Sequence, residues 1–377
     1  MAKRGLGFYE AVATLVGTTI GAGIMGIPYV VAKAGILAGI IDIIVLGAVI
    51  LMINLYVGEI SLRTKKTHQL AGFAELYLGK KGKAIMAIVS FISIIGALVA
   101  YIIGLGEVLS AVFGGSAFFF SLLFFAVGAL LVYFDLYAVK KAELYLNIFV
   151  LLIIGAIIAV CFFNFDASNL VSKNLSLANL FIPYGVILFA FVGASAIPAM
   201  EVEIRQNKKM LKKAIVIGTV IPFVVYFLFM LAVVGVTGQG TSEIATIGLG
   251  EKIGEFMIIL GNFLPIFTMS TSFFILGLAL KWMFHYDYGM PNLFAWMLTC
   301  FIPLGLFLAG ARSFISVIGL TGAIAGGMEG ILLVLIAKQA KKKGKVKPDY
   351  QIGLGWIFAI LLILLFTAGI VYQFVKH

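Results

Sequence analysis

Gly17-Thr-Thr-Ile-Gly-Ala-Gly-Ile-Met-Gly-Ile-Pro28 lies midway along an apolar run bounded by Arg4 and Lys33, and it places four glycines and a proline where a helix would otherwise be unbroken. Each interior glycine costs roughly 1 kcal/mol against alanine, and proline removes a backbone donor. Phe191-Val-Gly-Ala-Ser-Ala-Ile-Pro198 holds the same mid-run position between Asn179 and Arg205, and Gly23 to Pro28 shares the pattern Gly-x-x-small-Ile-Pro with Gly193 to Pro198, 170 residues later. Both runs are predicted to unwind at their centres. In a bilayer, freed backbone N–H and C=O groups persist only where they line a polar cavity or meet a ligand. Half-helix N-termini direct partial positive charge at an anionic group such as a carboxylate, and exposed carbonyls can hold a cation. For one glycine alone, close helix packing is the competing explanation. A glycine cluster followed by proline at matching depth in both halves favours a binding site built from backbone.

Composition places these runs in a membrane. Of 377 residues 63% are hydrophobic and 11% charged, against roughly 45–50% and about 25% in soluble domains. Apolar stretches give eleven spans, at 6–33, 36–62, 83–113, 116–135, 143–164, 180–203, 212–236, 256–281, 292–310, 313–337 and 352–375. With the N-terminus cytoplasmic, 22 of the 27 Lys and Arg residues fall inside, leaving Lys33, Lys173, Lys252, Arg312 and Lys376 outside. This asymmetry supports both the count and the orientation. It also accounts for the net charge of +11 without a nucleic-acid partner. Cys161 and Cys300 lie inside spans and indicate neither a disulfide framework nor a metal site. The histidines, His68, His285 and His377, fall in loops or at the terminus, and no HExxH, Ser/His/Asp or P-loop pattern occurs, so an enzyme is not expected.

A second internal match, Tyr101-Ile-Ile-Gly-Leu-Gly106 against Phe274-Ile-Leu-Gly-Leu-Ala279, lies 173 residues apart, close to the offset of the first. Five spans separate the copies, so the second runs inverted across the membrane. The expected architecture is an all-α polytopic membrane protein. Residues 1–165 form one five-helix repeat, 166–337 its inverted partner, 338–351 a basic cytoplasmic loop and 352–377 an eleventh helix.

Gly17 to Pro28, Ala100-Tyr-Ile-Ile-Gly-Leu-Gly106, Phe189-Ala-Phe-Val and Thr271-Ser-Phe-Phe-Ile-Leu-Gly277 resemble segments of the aromatic amino-acid permeases and the related amino acid/auxin permeases, within the amino acid-polyamine-organocation superfamily. The resemblance runs from about residue 8 to 337. It implies the fold of the bacterial leucine transporter and alternating-access transport of a neutral, large or aromatic amino acid. By that resemblance the substrate carboxylate meets the backbone of Ala22 and Gly23, with Thr18 and Thr19 nearby. The amino group meets carbonyls around Phe191, Gly193 and Ala194, beside Ser195, and Tyr101 closes the site. A sodium ion would take carbonyls of Gly17 and Ile20 and oxygens of Thr268, Thr271 and Ser272. Thr271 stands ten residues, about 15 Å of helix, from Lys281, which agrees with mid-membrane depth. Hydroxyls in membrane helices also commonly bond only to their own backbone.

Proton coupling is the alternative to sodium. Relatives that use a span 5 lysine are not matched, since none lies between Lys141 and Lys173, but Glu107 and Glu329 are intramembrane acids. Glu329 has packing among Gly326, Gly327 and Gly330 as an equal alternative, while Glu59, Glu201 and Glu203 near the cytoplasmic ends read as anchors or gates. Gly21-Ala-Gly23 offers no carboxylate for a divalent metal, and no cofactor beyond a coupling ion is expected. The expected location is the cytoplasmic membrane, with an amino acid and the lipid bilayer as partners. Other classes that fit are an amino-acid sensor that does not transport, and a proton-coupled permease for another small amine.

Overall fold

A computed structural model describes residues 2–134, 143–171, 175–204 and 207–376. Lys140, Lys141, Lys173 and Arg205, used above to orient the chain, lie outside the described residues. Among the described residues every regular element is helical, as the unbroken apolar runs require. The first run is α1 (Ala2–Thr19) and α2 (Gly23–Ala34), which meet at 51° across Ile20, Gly21 and Ala22. Gly35, at φ 98°, ends α2 through its N–H to Val31 O and starts α3 (Ile36–Leu62); that left-handed turn is why two long helices reverse within one residue. α4 (Leu70–Phe113) turns at Gly79, φ 82°, so a short helical arm precedes the part of α4 that corresponds to span 3.

α5 (Ala117–Tyr133) and α6 (Glu143–Phe163) complete the first half. In the second half α7 (Leu177–Phe191) starts at Ser176, whose hydroxyl accepts from Asn179 N, and stops at Val192 and Gly193. A single 3-10 turn over Ala194–Ala196 then leads into α8 (Ile197–Glu203), with Pro198 in its first turn, where a missing N–H is harmless. α9 (Leu211–Thr237), α10 (Ala245–Ile253), α11 (Glu255–Trp282) and α12 (Asn292–Leu308) follow. Span 10 is α13 (Phe314–Thr321), a π-helical turn over Gly322–Gly326, and α14 (Gly327–Lys343); α15 (Trp356–Lys376) is last. Among the described residues eight helical segments are long and apolar enough to cross a membrane, nine with the bent α1–α2 pair, while α5 and α12, 17 residues each, are shorter apolar helices at two of the eleven expected spans.

Packing places the breaks centrally. α2 lies on α7 and α9, α1 on α8 and α9, and α3 on α7, α9 and α14, while α4 packs against α5, α11, α12 and α14. The most apolar windows of α7–α8 and of α13–α14 are 67% buried, against 28% for α6 and α15 at the periphery. Peripheral helices therefore keep large apolar side chains outward, Leu152 on α6 and Ile357 on α15 among them, as lipid contact demands. Lys281 is not at a free cytoplasmic end: it is fully buried, and its Nζ donates to Val132 O and Tyr133 O, the uncapped carbonyls ending α5.

Candidate substrate site at the paired helix breaks

The last four carbonyls of any helix lack an intrahelical donor, and here two such ends meet inside the bundle. Thr19 closes α1 and Ala190 lies next to the end of α7. The Tyr226 hydroxyl on α9 shares its proton between them, 2.7 Å from Thr19 O and 3.0 Å from Ala190 O. Its ring packs edge-on against Phe191, with centroids 5.1 Å apart. One phenol thus ties both broken helices together. The backbones are equally close: a Cβ on Gly23 would fall 2.5 Å from Ala190 Cα, and one on Gly193 2.6 Å from Thr19 Oγ1. These glycines have a packing role whatever else they do.

Gly21, between α1 and α2, faces α4 and α11. A Cβ there would stand 3.9 Å from both Tyr101 Oη on α4 and Ser272 Oγ on α11, whose hydroxyls face each other. The expected positions Ala22, Gly23, Tyr101, Phe191, Gly193, Ala194 and Ser272 are therefore brought around one region. Thr19 joins them, its hydroxyl donating to Leu15 O. Thr18 is exposed and donates to Thr14 O, and Ser195 is also exposed, so these two side chains stand apart from the cluster.

At the expected cation position, Thr268 Oγ1 donates to Leu264 O and Thr271 Oγ1 to Phe267 O and Thr268 O. Each hydroxyl still has lone pairs to offer. Ile20 N closes on Val16 O, the final turn of α1. Against Gly17 lies the Asn147 side chain of α6, close enough that a Cβ at residue 17 would overlap it, and Asn147 Nδ2 donates to Ala13 O at 2.9 Å. Span 5 therefore presents a neutral amide beside Gly17.

The two acids occupy different cavities. Glu107 lines a cavity of about 370 Å³ together with Glu243, whose carboxylate accepts from Ser313 Oγ and Ile315 N. Glu329, 8% exposed, lines a small cavity of about 10 Å³ directly behind the span 6 break, shared with Asn54, Val192, Gly193 and Ala194. Tyr226, Asn147 and Asn54 were not among the expected site residues. A polar side chain inside an apolar run was the available signal for each, but their partners lie far away in sequence.

The family model of the tryptophan/tyrosine permeases matches residues 6–374. The chain belongs to the tryptophan/tyrosine permease family. The permease is 26% identical over 377 aligned positions to tyrosine-specific transport system 1 of Haemophilus influenzae, covering 93% of this chain and 92% of that one. It is 23% identical to glutamine transporter 2 of Aliivibrio fischeri, over 82% and 83% of the two chains. Vacuolar amino acid transporter 2 of Saccharomyces cerevisiae matches at 32% identity, over only 27% of the permease and 22% of its own length. A crystal structure of MhsT in complex with L-phenylalanine superposes with a TM-score of 0.70, 14% identity and 98% coverage of both chains. The permease is thus a multi-pass membrane protein with the leucine-transporter fold, an inverted five-plus-five repeat with helices 1 and 6 broken. Its family and relatives are transporters of amino acids, not enzymes.

Proposed function

We propose that the permease carries a neutral, large or aromatic amino acid across the cytoplasmic membrane by alternating access, with its N-terminus in the cytoplasm, driven by an ion gradient. The observation that carries this reading is the meeting of two helix breaks beneath one tyrosine hydroxyl, with Gly21 open toward Tyr101 and Ser272. The N-terminal end of α2 at Ala22 and Gly23 offers partial positive charge to a carboxylate, and carbonyls near Phe191 to Ala194 offer acceptors to an ammonium group. Such a site reads the groups common to all amino acids. Aromatic preference is supported by the family and by the names of the tyrosine transporter and the phenylalanine complex.

Sodium is the favoured coupling ion. Carbonyls of Gly17 and Ile20 with oxygens of Thr268, Thr271 and Ser272 supply hard ligands, and the Asn147 oxygen beside Gly17 adds to them without a competing positive charge. Proton coupling is the second reading, favoured by the Glu329 carboxyl beside the span 6 break. Uptake of a labelled amino-acid panel into proteoliposomes, with sodium and pH gradients imposed separately at matched potential, tests both. Sodium-driven accumulation lost in Thr271→Val supports the full proposal. Accumulation driven by protons alone keeps the transporter and removes the sodium seat. Saturable binding without flux points instead to a sensor.

A further inference from the structure

Past α14 the chain runs through residues 344–355 to the start of α15, and it does so against the C-terminal end of α3. Lys345 N and Val346 N both donate to Arg63 O, at 3.2 and 3.3 Å, and a Cβ on Gly344 would stand 3.0 Å from Arg63 Cβ. These backbone contacts lay Lys342-Lys-Gly-Lys-Val-Lys347 beside Arg63-Thr-Lys-Lys66, two basic runs from opposite ends of the sequence.

Only part of the gathered charge is matched. Glu59, buried on α3, takes Arg63 and Lys341, and Lys338 Nζ rests 3.3 Å from the centroid of the Trp356 ring. Lys65, Lys66, Lys342, Lys343, Lys345 and Lys347 are exposed, and none of the six has an ion-pair partner among the described residues. Asp349 is the single acid in residues 338–355, and residues 63–69 contain none. Like charges clustered in this way raise a positive potential over one surface, which favours an anion against it.

The patch stands at the ends of three membrane helices. α3 ends at Leu62, α14 carries Lys341, Lys342 and Lys343 in its last turn, and α15 begins at Trp356. Trp356 and Ile357 are 68% and 78% exposed, and tryptophan at the end of a span lies at the headgroup level of a bilayer. A soluble acidic partner would meet the lysines but not these apolar side chains. A phospholipid meets both, with its phosphate toward the ammonium groups and its chains toward the rings.

We propose that Lys65 and Lys66 together with Lys342, Lys343, Lys345 and Lys347 form a docking surface for anionic phospholipid headgroups of the adjoining leaflet, of the phosphatidylglycerol type. Lysine ammonium groups are point charges on flexible stems, suited to several mobile headgroups rather than to one bidentate seat. A zwitterionic headgroup brings its own ammonium group and gains less. Headgroups held there also hold residues 344–355 in place, where Tyr350 Oη donates to Leu55 O and Lys341 Nζ to Ile352 O, so lipid charge bears on how span 10 is tied to span 2. The surface requires a bilayer but not transport, and it holds for either orientation of the chain.

The test is the lipid selectivity of the purified full-length permease in phosphatidylcholine vesicles containing spin-labelled phosphatidylglycerol or spin-labelled phosphatidylcholine, with the protein-restricted fraction read by electron paramagnetic resonance. The expected preference for phosphatidylglycerol is about fivefold at low salt and shrinks as salt screens the exposed charges. Combining Lys342→Gln, Lys343→Gln, Lys345→Gln and Lys347→Gln should remove most of it, and arginine at the same four positions should keep it. Lys65→Gln with Lys66→Gln gives a second variant that leaves residues 344–355 intact. No preference in the native permease, or full preference in both glutamine variants, overturns the proposal. Lys209, Lys212 and Lys213 form another exposed basic run, and an equal loss per lysine when they are changed to Gln would reduce the effect to net charge and overturn the surface. Displacement of the labelled lipid by an equal concentration of glycerol 3-phosphate would mark a site for free phosphate and overturn the assignment to lipid.

Discussion

Tyr226 shows how far a residue's role depends on distant partners, since its two acceptors lie 207 and 36 positions away. In the sequence it is one more aromatic in an apolar span, indistinguishable from a lipid-facing tyrosine. Tyr226→Phe keeps the ring contact with Phe191 and removes only the hydroxyl, leaving two buried carbonyls unpaired. The expected cost is about 1–3 kcal/mol, read as a lowered midpoint of thermal unfolding in detergent; an unchanged midpoint means the clasp is not stabilising. The glycines divide in the same way. Gly23→Ala drives a methyl into Ala190 Cα, a backbone atom that cannot step aside, and should lower the yield of folded protein. Gly21→Ala meets only ordinary contact distances at Tyr101 and Ser272. It should fold normally yet weaken amino-acid uptake, separating a packing glycine from a site glycine by expression level against transport rate. Both lie in the motif that marked the break, and neighbours from other helices alone distinguish them.

At the scale of elements, most helix limits were legible because charge and apolar length set them: the expected 143–164 is Glu143–Phe163, and 212–236 is Leu211–Thr237. Charged stretches were harder. The expected basic loop from 338 is helical through Lys343, since lysine is a good helix former and this end of α14 packs on α3. The chain then straps across the C-terminal end of α3: Lys345 N and Val346 N donate to Arg63 O, Tyr350 Oη to Leu55 O and Ile352 N to Glu59 Oε2. Glu59, read from sequence as an anchor or gate, also binds Arg63 and Lys341. Neutralising it leaves those cations without their carboxylate in a largely buried setting. Glu59→Gln should therefore release the strap, with faster tryptic cleavage at Lys345 and Lys347 in vesicles that expose the inner face. An unchanged cleavage rate would show the backbone bonds suffice.

For the whole molecule, orientation is a property the charge asymmetry predicts. Single reporter cysteines at Lys345 and Lys252 should label from opposite faces of intact cells, the first only after permeabilisation; labelling of both from one face would reverse a span. The sequence by itself determined that the chain is helical and membrane-embedded, that its halves repeat with opposite orientation, and that spans 1 and 6 break. Those follow from composition, from apolar run length and from glycine and proline, all local quantities that need no knowledge of neighbours. Only the tertiary structure decided which groups meet: Tyr226 with Thr19 and Ala190, Asn147 with Gly17, and Asn54 with Thr219. A buried polar atom takes its role from the donor or acceptor that packing brings within about 3 Å, and here those partners stand far off in sequence, 207 positions between Tyr226 and Thr19 and 134 between Asn147 and Ala13.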